Sequence, residues 1–192
     1  DLGGPTGRLN LEGGGEEWET FICGNPPYRG SKWQTPSQKD DMKAAWFSFP
    51  QLSKTTDYVT GWLAKAHDYL QGSPLSKAAF VMTNSVVQGQ QAGDLWSPLF
   101  DAGTEIFFAH LPFTWKNLAA NNAGVTVVVV GFTNMKIADA LLFDGQEVRR
   151  AQSIGCFIIP NQGAMVRPQS TSVFGLPEMV FGNMPRDGGG LI

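Results

Sequence analysis

The stretch FICGNPPYRG, residues 21–30, joins an apolar run to a turn that ends it. The run TFICG, residues 20–24, is short and continuous, and such a run predicts a strand buried on both faces of a sheet. Pro26 and Pro27 end it, because a proline donates no backbone hydrogen bond and fixes its own φ. The sequence therefore places an amide, a rigid diproline and an aromatic ring directly after the end of a predicted buried strand.

The composition indicates one domain, or most of one. The chain has 192 residues, of which 42% are hydrophobic and 16% are charged, and this is enough for one core. The net charge of −3 comes with no run of lysine or arginine, so charge alone does not indicate a nucleic-acid surface. Cys23 and Cys156 are the only cysteines, which fits a reducing cytoplasm. His67 and His110 have no ligand-spaced partners, so we expect no metal site. The longest apolar run is too short for a membrane span.

Hydrophobic periodicity predicts alternating strands and helices. The predicted elements after the first strand are a helix from Thr35 or Ser37 to about Phe49, a helix over 57–70 capped by Thr55, Thr56 or Asp57, a strand over 77–86, a helix over 90–100, strands over 105–111 and 125–132, and a hairpin around Asp144-Gly145. This order is typical of an α/β protein whose largely parallel sheet is covered on both faces. Ligands of such sheets bind at the carboxyl ends of strands. The turn at residue 25 and the polar loop after the second strand are therefore predicted to share one rim.

The motif Asn25-Pro26-Pro27-Tyr28 resembles the catalytic motif of S-adenosylmethionine-dependent amino-methyltransferases, which methylate exocyclic amines of DNA bases. An adenine amine is a poor nucleophile, because its lone pair is delocalised into the ring. An Asn oxygen and a backbone carbonyl can accept its two hydrogens and aim the lone pair at a sulfonium methyl. The diproline holds the Pro26 carbonyl in a fixed direction. The ring of Tyr28 offers a face for a flipped base, a contact that contributes about 1–3 kcal/mol.

Longer segments resemble one family more specifically than this short motif does. DYVTGWLAKAHDYL, AAFVMTNSVVQGQQAGDLW, FFAHLPFTWKN and PEMVFGNMPRDGGG are similar to large bacterial DNA adenine-N6 methyltransferases of restriction–modification systems, above all to single-chain type IIG-like enzymes. The resemblance covers nearly the whole chain from about Phe21. It implies an α/β fold that is the C-terminal half of a Rossmann-like class I methyltransferase sheet, mostly parallel, with an antiparallel strand near 125–132.

The resemblance implies roles for particular residues. Asn25 and the Pro26 carbonyl would bind the target amine, and the same turn would abut the methionine end of S-adenosylmethionine. Tyr28 would stack on the extruded adenine. Either Phe113 or Trp115 would form the opposite wall, and core filling beneath the sheet is the alternative for each of them.

Polar residues near these walls are further candidates. Asn84, Ser85 and Gln88 would touch the flipped nucleotide or its backbone, with ordinary turn and cap chemistry as the alternative. Lys32 and Lys116 would meet phosphates, with a solvated lysine as the alternative. Cys23 is expected to be buried and inert.

The resemblance also implies that the chain is a fragment. Family members carry a glycine-rich cofactor loop before the motif, but roughly twenty residues precede Asn25, fewer than the ~30 of one βαβ unit. We expect a loop or linker over 1–19, the catalytic half over 20–150, and a connector over 151–192 toward a target-recognition domain. We also expect the piece alone to bind S-adenosylmethionine weakly.

The expected partners follow from the same resemblance. They are double-stranded DNA and the missing halves of the parent protein, with no membrane. The first strand would present an unpaired edge, so we expect a partner chain or residues 1–19 to cover it, or self-association through it.

Two other functions stay open from the sequence. The same motif occurs in methyltransferases that act on RNA or on a glutamine side chain of a protein. Alternatively, the chain is a non-catalytic DNA-binding or structural part of a restriction assembly that has kept the motif.

Overall fold

The structure, a computed structural model, describes residues 19–115 and 124–161. The strands and α-helices of these residues, in chain order, are β1 (Phe21–Gly24), α1 (Pro36–Ala45), α2 (Leu52–Thr55), α3 (Thr60–Gln71), β2 (Lys77–Thr83), α4 (Gly89–Asp101), β3 (Glu105–Trp115), β4 (Val125–Thr133), β5 (Ala140–Asp144), β6 (Glu147–Ala151), β7 (Ser153–Ile154) and β8 (Pro160–Asn161). Two short 3-10 helices, Ser31–Trp33 and Asn84–Val87, follow β1 and β2.

The main sheet has the strand order β1-β2-β4-β3-β5-β6. β1 pairs with β2 in parallel, and so does β3 with β5, whereas β4 runs antiparallel to both its neighbours and β6 antiparallel to β5. β1, β2, β3 and β5 therefore point the same way. The predicted α/β fold, mostly parallel with an antiparallel strand near 125–132, is confirmed.

Helices cover one face of this sheet in the described part of the chain. Ala78, Phe80 and Met82 of β2 are buried, and the residues between them are partly exposed. The buried face packs against the helices, as the edge-to-face contact of Trp96 with Phe132 shows. The expectation of a sheet covered on both faces is therefore not met by the described residues.

Local sequence explains several boundaries. Thr35 caps α1 through a capping box with Gln38, and Pro36 occupies the first turn, where a missing N–H costs nothing. The helix ends at Ala45, before the predicted end at about Phe49. The predicted strand over 77–86 ends at Thr83, because the following residues form the 3-10 helix Asn84–Val87.

The predicted hairpin at Asp144-Gly145 is confirmed. Asp144 pairs with Glu147 across a two-residue turn, and Gly145 has a φ of 59°, which glycine adopts without strain. After β6, the segment that carries Ile154, Cys156 and Ile158 packs into the core. The predicted boundary at residue 150 thus lies within β6. The predicted loop over 1–19, apart from Glu19, and most of the predicted connector over 151–192 lie outside the described residues.

Candidate active site

Asn25-Pro26-Pro27-Tyr28 lies at the carboxyl end of β1, as predicted. Gly24, the last residue of β1, is level with Phe80 of the parallel strand β2. Pro26 is buried, Tyr28 is partly buried, and Asn25 and Pro27 are exposed. The buried proline anchors the turn, while the Asn25 amide faces solvent at the rim.

The side chains of the motif contact one another. The Tyr28 hydroxyl donates a hydrogen bond of 2.5 Å to Oδ1 of Asn25. Burial raises the pKa of Tyr28, and the charge of Asp57 raises it further, so the hydroxyl keeps its proton at neutral pH. Tyr28 therefore holds the amide oxygen of Asn25 in one orientation, and one acceptor position of that oxygen is already in use.

Phe113 and Trp115 lie at the same rim, on the last residues of β3. Phe113 is level with Val127 of β4, and Val127 is level with Thr83, the last residue of β2. Two strand spacings, roughly 10 Å, thus separate Thr83 from Phe113. The two side chains are 38% and 43% exposed, and their ring centroids lie 6.2 Å apart. Core filling, the alternative for these residues, is therefore wrong for both.

The three candidate residues in the polar loop after β2, Asn84, Ser85 and Gln88, differ in their hydrogen bonds. The Ser85 hydroxyl lies 2.9 Å from the Thr83 hydroxyl, which is turn chemistry. Oδ1 of Asn84 is buried without a hydrogen-bond partner among the described residues. Gln88 precedes α4 at the cap position, but its exposed side chain makes no cap hydrogen bond there. Of the three, Gln88 alone has an exposed side chain that makes no hydrogen bond in the described part of the chain.

Two lysines were phosphate candidates. Lys32 is exposed in the 3-10 helix Ser31–Trp33, a few residues after the motif. Lys116 lies outside the described residues. Phosphate binding by either side chain stays a prediction.

A groove of about 930 Å³ opens beside the motif. Residues 22–27, the end of α1 and one side of α3 line it together with Phe80. Its lining is mostly apolar, and Lys65, Asp68, Asn25 and Tyr69 are among the lining residues whose side chains carry hydrogen-bonding groups. The groove runs along β1, which is the edge strand among the described strands.

Cys23 differs from the expectation. It is exposed, as is Phe21, whereas both were expected within a strand buried on both faces. The reason is the position of β1 at the edge of the described sheet, which leaves one face and one side of the strand open. Among the described residues, no group of three or more His, Cys, Asp and Glu side chains could hold a metal ion.

Comparisons with known proteins match this chain to one family. The family model described as "MmeI, DNA-methyltransferase domain" matches residues 6–144. The chain belongs to the MmeI DNA-methyltransferase domain family. It resembles DNA methyltransferase A of Bacillus subtilis (strain 168), with 38% identity over 175 residues, which are 91% of this chain and 20% of the relative.

A solved structure agrees with the MmeI family assignment. The type IIL restriction–modification enzyme MmeI in complex with DNA has a TM-score of 0.78 and 32% identity to this chain, over 88% of this chain and 23% of that one. The predicted resemblance to a restriction–modification DNA methyltransferase is thus confirmed. The chain spans between a fifth and a quarter of the length of these relatives.

Two buried polar residues of this MmeI-family chain were not singled out for the site by the sequence. Gln34 and Asp57 both contact the backbone of Arg29, the residue directly after the motif. The pattern offered Asp57 as a helix cap and offered nothing for Gln34. Arg29 lies 28 residues before Asp57, and the periodicity of a sequence does not report contacts between residues so far apart.

Proposed function

We propose that this chain carries the catalytic half of a DNA adenine-N6 methyltransferase within a restriction–modification enzyme. In this proposal a methyl group passes from S-adenosylmethionine to the exocyclic amine of an adenine flipped out of duplex DNA. Membership of the MmeI methyltransferase family supports the reaction class. The observation that carries the finer proposal is the exposed Asn25 amide next to the buried Pro26, at the rim where β1, β2 and β3 end.

The proposed methyl transfer needs two hydrogen-bond acceptors for the two N–H groups of the adenine amine. Oδ1 of Asn25 and the carbonyl of Pro26 would each accept one N–H of the adenine amine, which draws the nitrogen toward tetrahedral geometry. The Tyr28 hydroxyl now donates to that Oδ1. The incoming amine must therefore share the oxygen through its second lone pair or displace the hydroxyl.

Aromatic rings would hold the base while this happens. Tyr28 is partly buried and would stack on one face of the adenine, a contact worth about 1–3 kcal/mol. Phe113 or Trp115 would close the other side, because both are exposed at the same rim. Gln88 would reach the flipped nucleotide, with Asn84 and Ser85 shaping the turn beneath it.

The chain fits one end of S-adenosylmethionine. Asn25 and Pro26 would abut its methionine end, since they offer oxygen acceptors at the rim. No carboxylate directly follows β1 or β2, so these two turns do not supply the acidic residue that usually holds a ribose. When bound, the molecule supplies an electrophilic methyl group on a sulfonium. Asn25 and Pro26 orient the amine toward it, and Tyr28 and the rim aromatics exclude water.

The proposal includes partners and location. We propose that the rest of a longer protein covers the β1 edge and the groove beside it, with self-association as the alternative. The ranges 20–150 and 151–192 would then be the catalytic half and a connector. A role in DNA modification would place the protein in the cytoplasm. In the described residues, no helix has the length and apolar character needed to cross a membrane.

The experiment is a methyl-transfer assay on the full-length protein that carries this sequence. Labelled S-adenosylmethionine is offered with duplex DNA, with RNA and with a protein substrate, and the modified group is identified after digestion. Label on adenine N6 supports the proposal. Label on RNA or on glutamine would show that RNA or a protein, and not DNA, is the substrate. DNA binding without label on any substrate favours a non-catalytic role.

A further inference from the structure

The backbone of Arg29 is held at both of its polar groups. Its N–H donates to Oδ1 of Asp57 at 3.0 Å. Its carbonyl accepts two hydrogen bonds, one from the backbone N–H of Tyr58 at 2.9 Å and one from Nε2 of Gln34 at 3.1 Å. Arg29 directly follows Tyr28, so these three bonds fix the point where the catalytic turn leaves the site. We call this arrangement the Arg29 clamp.

Asp57 connects the clamp to the start of α3. The same Oδ1 that accepts from Arg29 also accepts from the backbone N–H of Val59 at 3.1 Å. The Asp57 carbonyl accepts from the backbone N–H and the hydroxyl of Thr60. Asp57 is only 9% exposed, so solvent does little to replace these bonds. One carboxylate thus ties two segments that lie 28 residues apart.

Gln34 closes the clamp from the other side. Its amide nitrogen uses both hydrogens, one on the carbonyl of Arg29 and one on the carbonyl of Thr56 at 3.1 Å. Gln34 is 6% exposed, and its loss would remove a buried donor from the Thr56 carbonyl and leave the Arg29 carbonyl with the Tyr58 N–H alone. The residue bridges the exit of the motif to the segment before α3.

We propose that Asp57 and Gln34 are positioning residues for methyl transfer, because they fix the Arg29 backbone and thereby the Asn25-Pro26-Pro27-Tyr28 turn. This inference rests on the proposed function. The diproline makes the turn stiff, but stiffness sets only its internal shape. Its orientation relative to the rim depends on how its two ends are attached, and the clamp holds the end that is not part of β1.

The consequence for catalysis is specific. Oxygen acceptors must be placed to within fractions of an ångström, and a displacement of about 1 Å can lower a rate by roughly 100-fold. A loosened turn still presents the same groups, so binding of DNA and S-adenosylmethionine changes little. The clamp is therefore expected to act on kcat rather than on either KM.

The test uses the full-length protein with the variants Asp57→Ala, Gln34→Met and Asp57→Asn. The first two remove clamp bonds, and we expect kcat to fall about 10- to 100-fold with both KM values within about threefold. Asp57→Asn keeps an oxygen that accepts from Arg29 and Val59, so it should retain kcat within about fivefold.

Thr104→Val is the matched control. Thr104 is equally buried and its hydroxyl bonds to His67 and Asn134, away from Arg29. Its loss should lower stability and leave kcat unchanged below the unfolding temperature. Equal losses of kcat in Thr104→Val and Asp57→Ala would overturn the proposal, since they would reduce the clamp to general stability.

A second measurement separates this inference from the proposed function. Hydrogen exchange of residues 28–33 should accelerate in Asp57→Ala and Gln34→Met, and match the unaltered protein in Thr104→Val. Unchanged exchange in the clamp variants overturns the clamp, whatever the substrate. Accelerated exchange in a protein that places no label on DNA overturns the proposed function instead.

Discussion

The hydroxyl of Tyr28 donates to Oδ1 of Asn25, the oxygen that the proposed reaction needs as an acceptor. The Asn25-Pro26-Pro27-Tyr28 turn therefore satisfies this acceptor itself when no base is present. This contact orients the Asn25 amide and links the residue proposed to bind the amine to the residue proposed to stack on the ring. Base entry and rearrangement of this pair are expected to occur together.

Tyr28→Ala and Tyr28→Phe separate the ring from the hydroxyl. Removing the ring should raise KM for DNA by roughly 5- to 150-fold, the equivalent of about 1–3 kcal/mol of stacking. Removing the hydroxyl alone should change kcat by less than about tenfold, because an ordinary hydrogen bond contributes about 0.5–1.5 kcal/mol net. Steady-state kinetics with duplex DNA measure both parameters.

Tyr69→Phe is the control for the lost hydroxyl. The Tyr69 hydroxyl pairs with that of Thr20 at the other end of β1, so its removal should leave both parameters unchanged. The stacking role of Tyr28 fails if Tyr28→Ala lowers affinity for S-adenosylmethionine and leaves KM for DNA intact.

The second aromatic wall is tested at Phe113 and Trp115. The double alanine variant should raise KM for DNA by an amount similar to that of Tyr28→Ala, since a flipped base would lose one of its two stacking faces. The single variants then assign the wall, and the residue whose loss reproduces the double variant is the stacking partner. Phe157→Ala, at a side chain as exposed as Trp115, controls for loss of surface aromatic area. An unchanged KM in the double variant would remove both residues from the site.

His67 makes the stability of the domain depend on pH. Thr104 donates to Asn134 and accepts from Nδ1 of His67, and Gln71 donates to Nε2, so the buried imidazole is neutral. Burial lowers the pKa of His67 below 6.5, although the charge of Asp68 acts in the opposite direction. Above pH 6.5 the neutral His67 makes its full contribution to the free energy of unfolding. As the pH falls below 6.5, the unfolded chain takes up a proton that the folded chain resists, and stability is lost.

The measurement is hydrogen exchange of the α3 amides between pH 7.5 and 5.5, corrected for intrinsic rates. Protection should fall toward pH 5.5 in the unaltered protein and stay flat in His67→Gln, which cannot be charged. Burial raises the pKa of Asp68 above 3.8, and that group contributes with the opposite sign at more acidic pH. Equal slopes in the two proteins would show that His67 does not carry the effect.

The two cysteines should react differently with a thiol reagent. Cys23 is exposed on β1, whereas Cys156 is buried and its burial raises the pKa of the thiol, which lowers the reactive thiolate fraction. We expect maleimide to label the isolated chain at Cys23 first. In the full-length protein the label at Cys23 should be suppressed, because the β1 edge is proposed to be covered there. Rapid labelling of Cys23 in both would contradict that cover.

The sequence predicted which strands carry the candidate site and at which end of them it lies. A run of apolar residues stopped by Asn25-Pro26-Pro27-Tyr28 placed the turn at the end of a strand, and the α/β order of the elements placed the ends of β1 and β2 at one rim. The structure shows in addition that these two strands pair directly. The valine-rich strand was predicted as antiparallel through family resemblance, since β-propensity carries no direction. The family resemblance pointed to the rim aromatics, Phe113 and Trp115, which precede that strand, without deciding between them.

The remaining features depend on contacts between distant residues. The exposure of Cys23 depends on which strands flank β1, and an apolar run does not report its neighbours. The bond of Tyr28 to Asn25 depends on side-chain rotamers. The second role of Asp57, as acceptor for the N–H of Arg29, depends on the tertiary approach of the loop before α3 to the end of the Asn25-Pro26-Pro27-Tyr28 turn. Sequence patterns of period 2 or 3.6 identify the buried face of a strand or a helix. They do not predict these contacts, because the contacts join loops.

The central claim is that Asn25 binds the amine that receives the methyl group. The most direct measurement is methyl transfer from labelled S-adenosylmethionine to duplex DNA by the full-length protein, beside an Asn25→Ala variant with confirmed folding and DNA affinity. The account predicts label on adenine N6 with the unaltered protein, and a loss of at least about 100-fold with the variant. Label on adenine that persists at an equal rate in Asn25→Ala would contradict it.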